Sequence, residues 1–179
     1  MDKPPESIET PRLFLRLPVR EDADGLFTRY AQDSEVTKYL VWKPHKNITE
    51  TTAFVESCIK GWDEGRRFAW VVTRKEDNAL LGMIELRIAD NQADFGYVLA
   101  RDAWGRGYAT EMATAVVSWA MAKPEIQRVW ATCDCDNCAS SRVLEKAGLK
   151  FEKVLKGYIV HPNISEETRD SLLYSITKS

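Results

Sequence analysis

The chain has 179 residues, 44% of them hydrophobic, and a formal net charge of −2. That length suits one domain able to bury roughly two-thirds of its extended-chain surface, and the apolar content argues against long disorder. The near-balance of charge removes the global footprint of a nucleic-acid binder, and no apolar run approaches the length of a bilayer span.

The opening M-D-K-P-P lacks the hydrophobic core of an export signal, so the cytoplasm is the expected compartment, without membrane or nucleic-acid partners. Leu13, Leu15 and Leu17 alternate with Phe14 and Arg16, the period of an opening strand that Pro18 closes. A helix is expected from Glu21, where acidic residues suit the N-terminal dipole and Ala23, Leu26, Phe27 and Tyr30 share a face. Asn47 followed by Glu50 resembles a capping box, opening a second helix with the stripe Val55, Cys58, Ile59 and Trp62. Strands over 67–73, 80–88 and 93–99 come next, and their short connections read as an antiparallel meander.

A turn then leads into a helix over 108–122, stopped before Pro124, with Ala109, Met112, Ala113, Val116, Trp119 and Ala120 on its apolar face. An alternating strand over 128–133 follows. The next helix is capped near Asn137 and ends at Gly148, which suits a left-handed C-cap. Strands over 151–160 and 171–177 close the chain. The order β-α-α-β-β-β-α-β-α-β-β, with no repeat or linker, implies a single α/β (α+β) domain over 1–179, its mixed sheet covered by helices.

The most informative segment is W-G-R-G-Y-A-T-E over 104–111, placed between a strand end and a helix start. Unpartnered N–H groups and the macrodipole make such an end electropositive, and phosphate oxygens fit there. Gly105 and Gly107 permit positive φ and close approach of a pyrophosphate. Ala109 is small enough not to obstruct it, Thr110 can add a hydroxyl bond and Arg106 can add charge. A G-x-G alone also fits an ordinary glycine turn. It is neither a Walker loop nor the six-residue dinucleotide fingerprint. A second signal lies downstream, where Asn137 and Ser140 are spaced to face one groove from a helix start.

Cys133, Cys135 and Cys138 form C-x-C-x-x-C, with Cys58 apart. A zinc site needs a fourth ligand, and neither His45 nor His161 is near in sequence, so free thiols and no metal are expected.

Together these segments resemble the GNAT superfamily of acyl-CoA-dependent N-acetyltransferases, and within it the ribosomal-protein N-terminal acetyltransferases of the RimJ/RimL type. The likeness runs over nearly the whole chain. It takes in E-T-P-R-L at Glu9 to Leu13, W-x-P-H at Trp42 to His45, Gly96-Tyr97, W-G-x-G-Y-A-T-E, and N-x-x-S-x-x-x-x-E-K-x-G from Asn137 to Gly148. It implies a GNAT-like mixed, mostly antiparallel sheet flanked by helices, with acetyl-CoA as acyl donor and no metal. It also implies that the strand holding Val98 and Leu99 splays from its neighbour and pairs its free backbone groups with the pantetheine arm. The segment Gly105, Arg106, Gly107, Tyr108, Ala109 and Thr110 takes the pyrophosphate. By the same resemblance Asn137 bonds the arm near the thiol, and Ser140 lies closest to the sulfur.

Trp104 stands where the general superfamily pattern has Gln or Arg, though the RimJ/RimL branch commonly has Trp. Leu144 stands where many members carry a tyrosine acid. Ser140, one turn earlier, is the branch's substitute, and a helix-start serine bonded to backbone is the plainer alternative. Asp94 resembles the superfamily's base position, with Glu85 on the adjacent strand; each also reads as a solvated strand charge. Trp42 and His45 suit the lining of an acceptor pocket, with core packing the alternative for Trp42. The expected reaction is direct acetyl transfer to a primary amine, first of all a protein N-terminus such as that of a ribosomal protein. A small amine (antibiotic, polyamine or amino acid) comes second, and a non-catalytic acyl-CoA-binding module third. Monomer and homodimer are both compatible with the sequence.

Overall fold

Leucines that alternate must all point one way in a strand, and their burial sets the first layer. The computed structural model describes residues 3–178, and in it Leu13 and Leu15 are fully buried within β2 (Leu13–Arg16). A short β1 (Ser7–Glu9) precedes it. After α1 (Asp22–Leu26) comes a π-helical turn (Phe27–Ala31), then α2 (Ser34–Thr37) and α3 (Ile48–Asp63). The meander is β3 (Arg67–Arg74), β4 (Leu80–Ala89) and β5 (Gln92–Leu99). A 3₁₀ turn (Arg101–Ala103) leads to α4 (Tyr108–Ala122), β6 (Arg128–Asp134), α5 (Cys138–Lys146), β7 (Lys150–Val160) and β8 (Thr168–Thr177).

The strands form one eight-stranded sheet in the order β1-β2-β3-β4-β5-β6-β8-β7. Every pairing is antiparallel except that of β5 with β6, which is parallel and confined to Gln92, Ala93 and Asp94 against Arg128, Val129 and Trp130. This is the mixed, mostly antiparallel architecture expected. On one face Leu13, Trp70, Ile84, Leu86 and Phe95 pack with Met112 and Val116 of α4 and Leu144 of α5. On the other, Ala69, Val71 and Met83 meet Leu26, Tyr30, Val55 and Cys58. Residue parity along each strand therefore assigns its side chains to the α4/α5 face or the α1/α3 face.

Some elements have weaker sequence signals. β1 is too short for a periodic pattern. The first predicted helix runs on from α1 into the π turn, and α2 is a further short piece that starts afresh at Asp33, which takes an extended conformation and caps it, accepting from Glu35 N at 2.9 Å. Half of the capping box at α3 is present: Asn47 Oδ1 accepts from Glu50 N at 3.2 Å, whereas the Glu50 carboxylate accepts from Lys46 N at 3.0 Å, one residue before the N-cap, instead of from Asn47 N. Among the described residues no helix is long and apolar enough to cross a membrane.

Among the glycines, Gly82 leaves the least room for a side chain. A Cβ there would lie 2.0 Å from the Val98 carbonyl oxygen and 2.9 Å from Leu99 Cα. Backbone atoms cannot swing aside as a flexible side chain can, so β4 and β5 would have to separate. Gly82→Ala should therefore cost about 3 kcal/mol or more, near the upper end for overpacking. That corresponds to a thermal midpoint lower by roughly 6–12 °C for a domain of this size. A midpoint within a degree of the parent would refute the close-approach reading.

Candidate active site

β5 and β6 part after Asp94 and Trp130, leaving a wedge-shaped gap that opens toward Leu99 and Asp134. Which backbone groups face it follows from alternation. Val98 pairs with Met83 and directs its carbonyl toward β4, and Ala100 N likewise donates to Leu81 O. The groups turned to the gap are thus those of Tyr97 and Leu99. This corrects the expectation for Val98, whose backbone is spent on β4, because adjacent residues of a strand point their polar groups to opposite sides. The Leu99 carbonyl is itself occupied, accepting from the half-exposed indole Nε1 of Trp104 at 2.9 Å.

Two helix N-termini border the wedge. Gly105 and Gly107 both sit at left-handed φ, +71° and +79°, and Gly107 is the N-cap of α4. No side chain caps that end; the first intrahelical bond runs from Glu111 N to Gly107 O at 3.0 Å, so the N–H groups of Tyr108, Ala109 and Thr110 lack helical partners. Arg106 is exposed beside them. At α5 the cap is Asn137, whose Oδ1 accepts from Ser140 N at 3.1 Å. Its amide Nδ2 keeps both hydrogens for another acceptor. Ser140 is not occupied with backbone through its side chain: its Oγ lies 3.1 Å from the Tyr97 hydroxyl. Leu144, one turn on, is buried in the core.

The turn over 105–110 is held from behind by Thr10, Arg12 and Glu111. Glu111, on the first turn of α4, accepts from Thr10 Oγ1 at 2.6 Å, Arg12 N at 2.9 Å and Arg12 Nε at 2.7 Å. Arg12 Nη1 donates to the Arg106 carbonyl at 2.9 Å, and its guanidinium lies over the Tyr108 ring, 4.6 Å from the centroid. Burial pushes the Glu111 carboxyl up, but the bonds from Thr10 and Arg12 outweigh it and leave it below the usual range. A Cβ at Gly107 would lie 3.3 Å from Arg12 Nη2, besides being strained by its φ. The signal available in the sequence was the pairing of T-P-R with an acid just inside the helix.

On the opposite sheet face the candidate bases lie in an ion-pair network. Glu85 accepts from Arg67 at 2.6 Å and from Arg87 at 2.8 Å, and Asp94 pairs with Arg87. Asp94 sits at the closed end of the wedge, where β5 still pairs with β6. By parity Asp134, at the far end of β6, shares this face. It is 1% exposed and is held by Arg169 at 2.7 Å, with His161 Nε2 3.6 Å away. His161 is 5% exposed, and neither of its ring nitrogens has a hydrogen-bond partner. Trp42 stacks on His45 at 4.8 Å, near Phe54, and His45 Nδ1 is 2.7 Å from Thr51 Oγ1. Burial holds the His45 imidazole below its usual pKa. Asn163, between β7 and β8, donates to Thr37 O at 2.7 Å and Trp42 O at 2.8 Å, tying that loop to the aromatic cluster.

The cysteines diverge. Cys133 Sγ is 3.4 Å from Ser141 Oγ on the α5 face, Cys135 lies among Asp134 and Asp136, and Cys138 is exposed. Among the described residues the one group with ligand-like spacing is Asp134, Cys135 and Asp136, and Arg169 already bonds both carboxylates.

Residues 12–150 match the acetyltransferase (GNAT) domain family. The uncharacterized N-acetyltransferase YoaA of Bacillus subtilis (strain 168) is 30% identical over 174 residues, covering 96% of each chain. The microcin C7 self-immunity acetyltransferase MccE, solved with acetyl-CoA and AMP, superposes with a TM-score of 0.87 at 20% identity, over 98% of each chain. RimL, a ribosomal-protein α-N-acetyltransferase solved with coenzyme A, gives 0.84 at 20% identity, over 96% of this chain and 98% of its own.

Because Glu111 fixes the turn rather than the reacting atoms, Glu111→Gln should weaken acetyl-CoA binding and spare turnover at saturation. Arg12 is half exposed, so an effect of about fivefold to tenfold is expected. Acetyl-pantetheine, which lacks the pyrophosphate, should bind the variant and parent alike in calorimetry. Equal losses for both donors would mean that Glu111 supports the fold at large.

Proposed function

We propose that this chain, which belongs to the acetyltransferase (GNAT) family, transfers an acetyl group from acetyl-CoA to the α-amino group of a polypeptide N-terminus. The donor follows from the two helix starts and the wedge between them. The N–H groups of Tyr108, Ala109 and Thr110 suit a pyrophosphate, and those of Tyr97 and Leu99 face the arm and the thioester. In direct attack the amine nitrogen bonds the acetyl carbon while negative charge collects on the carbonyl oxygen, where a backbone N–H at the wedge can meet it. The C–S bond then breaks and the thiolate leaves beside Ser140.

The acceptor class rests on one observation: the acids on the acceptor face are tied to arginines. Asp94 and Glu85 are the candidates to take the proton, and each would do so while bonded to Arg87, with Arg67 also on Glu85. Asp134 is held by Arg169, and His161 is enclosed behind it. Such a site favours an amine that arrives already neutral. An α-amine with pKa of about 7.7–8.0 is substantially neutral near pH 7.5, whereas a lysine at about 10.4 costs roughly 4 kcal/mol to deprotonate. RimL, with the same fold, acts on a ribosomal protein's α-amine, which is consistent with this reading. Trp42, His45 and Phe54 would receive the first residues of the acceptor.

A small amine is the second reading; MccE, a microcin C7 self-immunity acetyltransferase solved with acetyl-CoA and AMP, shows that this fold is not confined to ribosomal-protein acetyltransferases. Short peptides with free N-termini should release CoA at least tenfold faster at pH 7.5 than the same peptides with a blocked terminus and one lysine. The peptide rate should rise with pH and level off above about 8, because the protonated amine cannot attack. Faster release with polyamines or lysine side chains across that range would replace the N-terminal assignment.

A further inference from the structure

The Tyr97 backbone faces the wedge, but its side chain has no role in the turn over 105–110 or on the acceptor face. Parity sends its side chain to the α5 face with Ala93 and Phe95, so it reaches past the edge of β5 at the wedge. Ser140 approaches from the other border, on the first turn of α5, and the hydroxyls meet at 3.1 Å. This contact joins two elements that the sheet itself leaves apart. We propose that Tyr97 is a further catalytic residue: its hydroxyl and that of Ser140 form a two-member donor site for the departing thiolate of CoA. The proposal rests on the acetyl-CoA reading above.

The chemistry follows from counting hydrogens. Each hydroxyl has one O–H, and one of the two is consumed in the Tyr97–Ser140 bond. Whichever group donates, the other O–H remains available to an acceptor in the wedge. With Asn137 Oδ1 already filling the Ser140 N–H, the serine does not need its hydroxyl for capping.

Burial also holds the phenol protonated, pushing its pKa up to about 12 against a weaker opposing effect of the Ser140 bond. A cysteine thiol titrates near 8.5, and a simple alkyl thiol like that of CoA somewhat higher but still below this phenol. Full proton transfer from Tyr97 to the thiolate is therefore uphill. The pair acts by hydrogen bonding to sulfur as the C–S bond breaks. The attacking amine loses its proton on the acceptor side, and the thiolate takes one from solvent on release. Leu144 is buried in the core and carries no donor.

The test uses the bound CoA thiol as its own indicator, read by the ultraviolet absorbance of the thiolate during a pH titration of the binary complex. The parent should hold the thiol at a lower pKa than free CoA, and Tyr97→Phe, which keeps the ring, should return it toward the free value. In steady-state assays kcat for Tyr97→Phe should fall on the order of tenfold to a hundredfold with the acetyl-CoA KM unchanged. Because the two hydroxyls act as a unit, Tyr97→Phe with Ser140→Ala should lose little more than the worse single variant. An unshifted thiol pKa in a parent that binds CoA, or fully additive losses in kcat, would overturn the pair. Failure of the parent to bind CoA would overturn the acetyl-CoA reading and the proposal with it.

Discussion

The site depends on a parallel strand pair that stops early. β5 and β6 share a register for Gln92 to Asp94 only, and then each continues with one edge unpaired. Unpaired backbone N–H and C=O groups are costly when removed from water, so an interrupted ladder inside a sheet calls for another partner. Here the neighbours of each strand remain fully paired, β4 along β5 and β8 along β6. The sheet is therefore rigid on both sides of the wedge. An extended ligand arm with amide groups can complete the ladder, and the Trp104 indole on the Leu99 carbonyl marks where that ladder would end.

The crossover from β5 to β6 adds the charge complement. A parallel connection in one sheet requires a crossover, and here α4 supplies it, with its N-terminus at the mouth of the wedge. α5 starts immediately after β6, so a second N-terminus arrives on the other border. The same topology that parts the strands brings two helix starts to one place. They are finished differently. Asn137 caps α5 with its own side chain, whereas α4 is left uncapped and is steadied by Glu111 from the flank. An uncapped helix start supported from behind can offer its N–H groups to an anion without first breaking a bond.

Much of this was legible in the sequence where the signal was local. The leucine alternation, the Asn47–Glu50 box and the glycines flanking Arg106 each encode their own conformation, and the structure has β2, the α3 cap and two left-handed glycines at those places. Local patterns do not carry the direction of a backbone carbonyl across a sheet, so Val98 and Leu99 look alike in sequence although their polar groups point opposite ways. Nor do they carry contacts between distant segments. Tyr97 and Ser140 are 43 residues apart, and Thr10 and Glu111 are 101 apart. The π turn and α2 were hidden for another reason: a continuous helical spacing from Ala23 to Tyr30 gives no sign that Asp33 restarts the helix.

The two sheet faces divide the chemistry by charge. On the α4/α5 face the wedge presents neutral donors: backbone N–H groups, the Asn137 amide and the hydroxyls of Ser140 and Tyr97. These suit charge that appears during reaction, since a neutral donor in a dry site costs little before the charge forms and gains strength as it does. On the α1/α3 face Glu85, Asp94 and Asp134 carry charge already matched by Arg67, Arg87 and Arg169. Permanent charges so paired fix that wall and tie these three carboxylates to arginines. Under the proposed function, that division would let one sheet bind a polyanionic donor on one side and admit an amine on the other. It also separates the roles of the two groups. In that reading the neutral donors act on the barrier, and the ion pairs bear on which amines arrive ready to react.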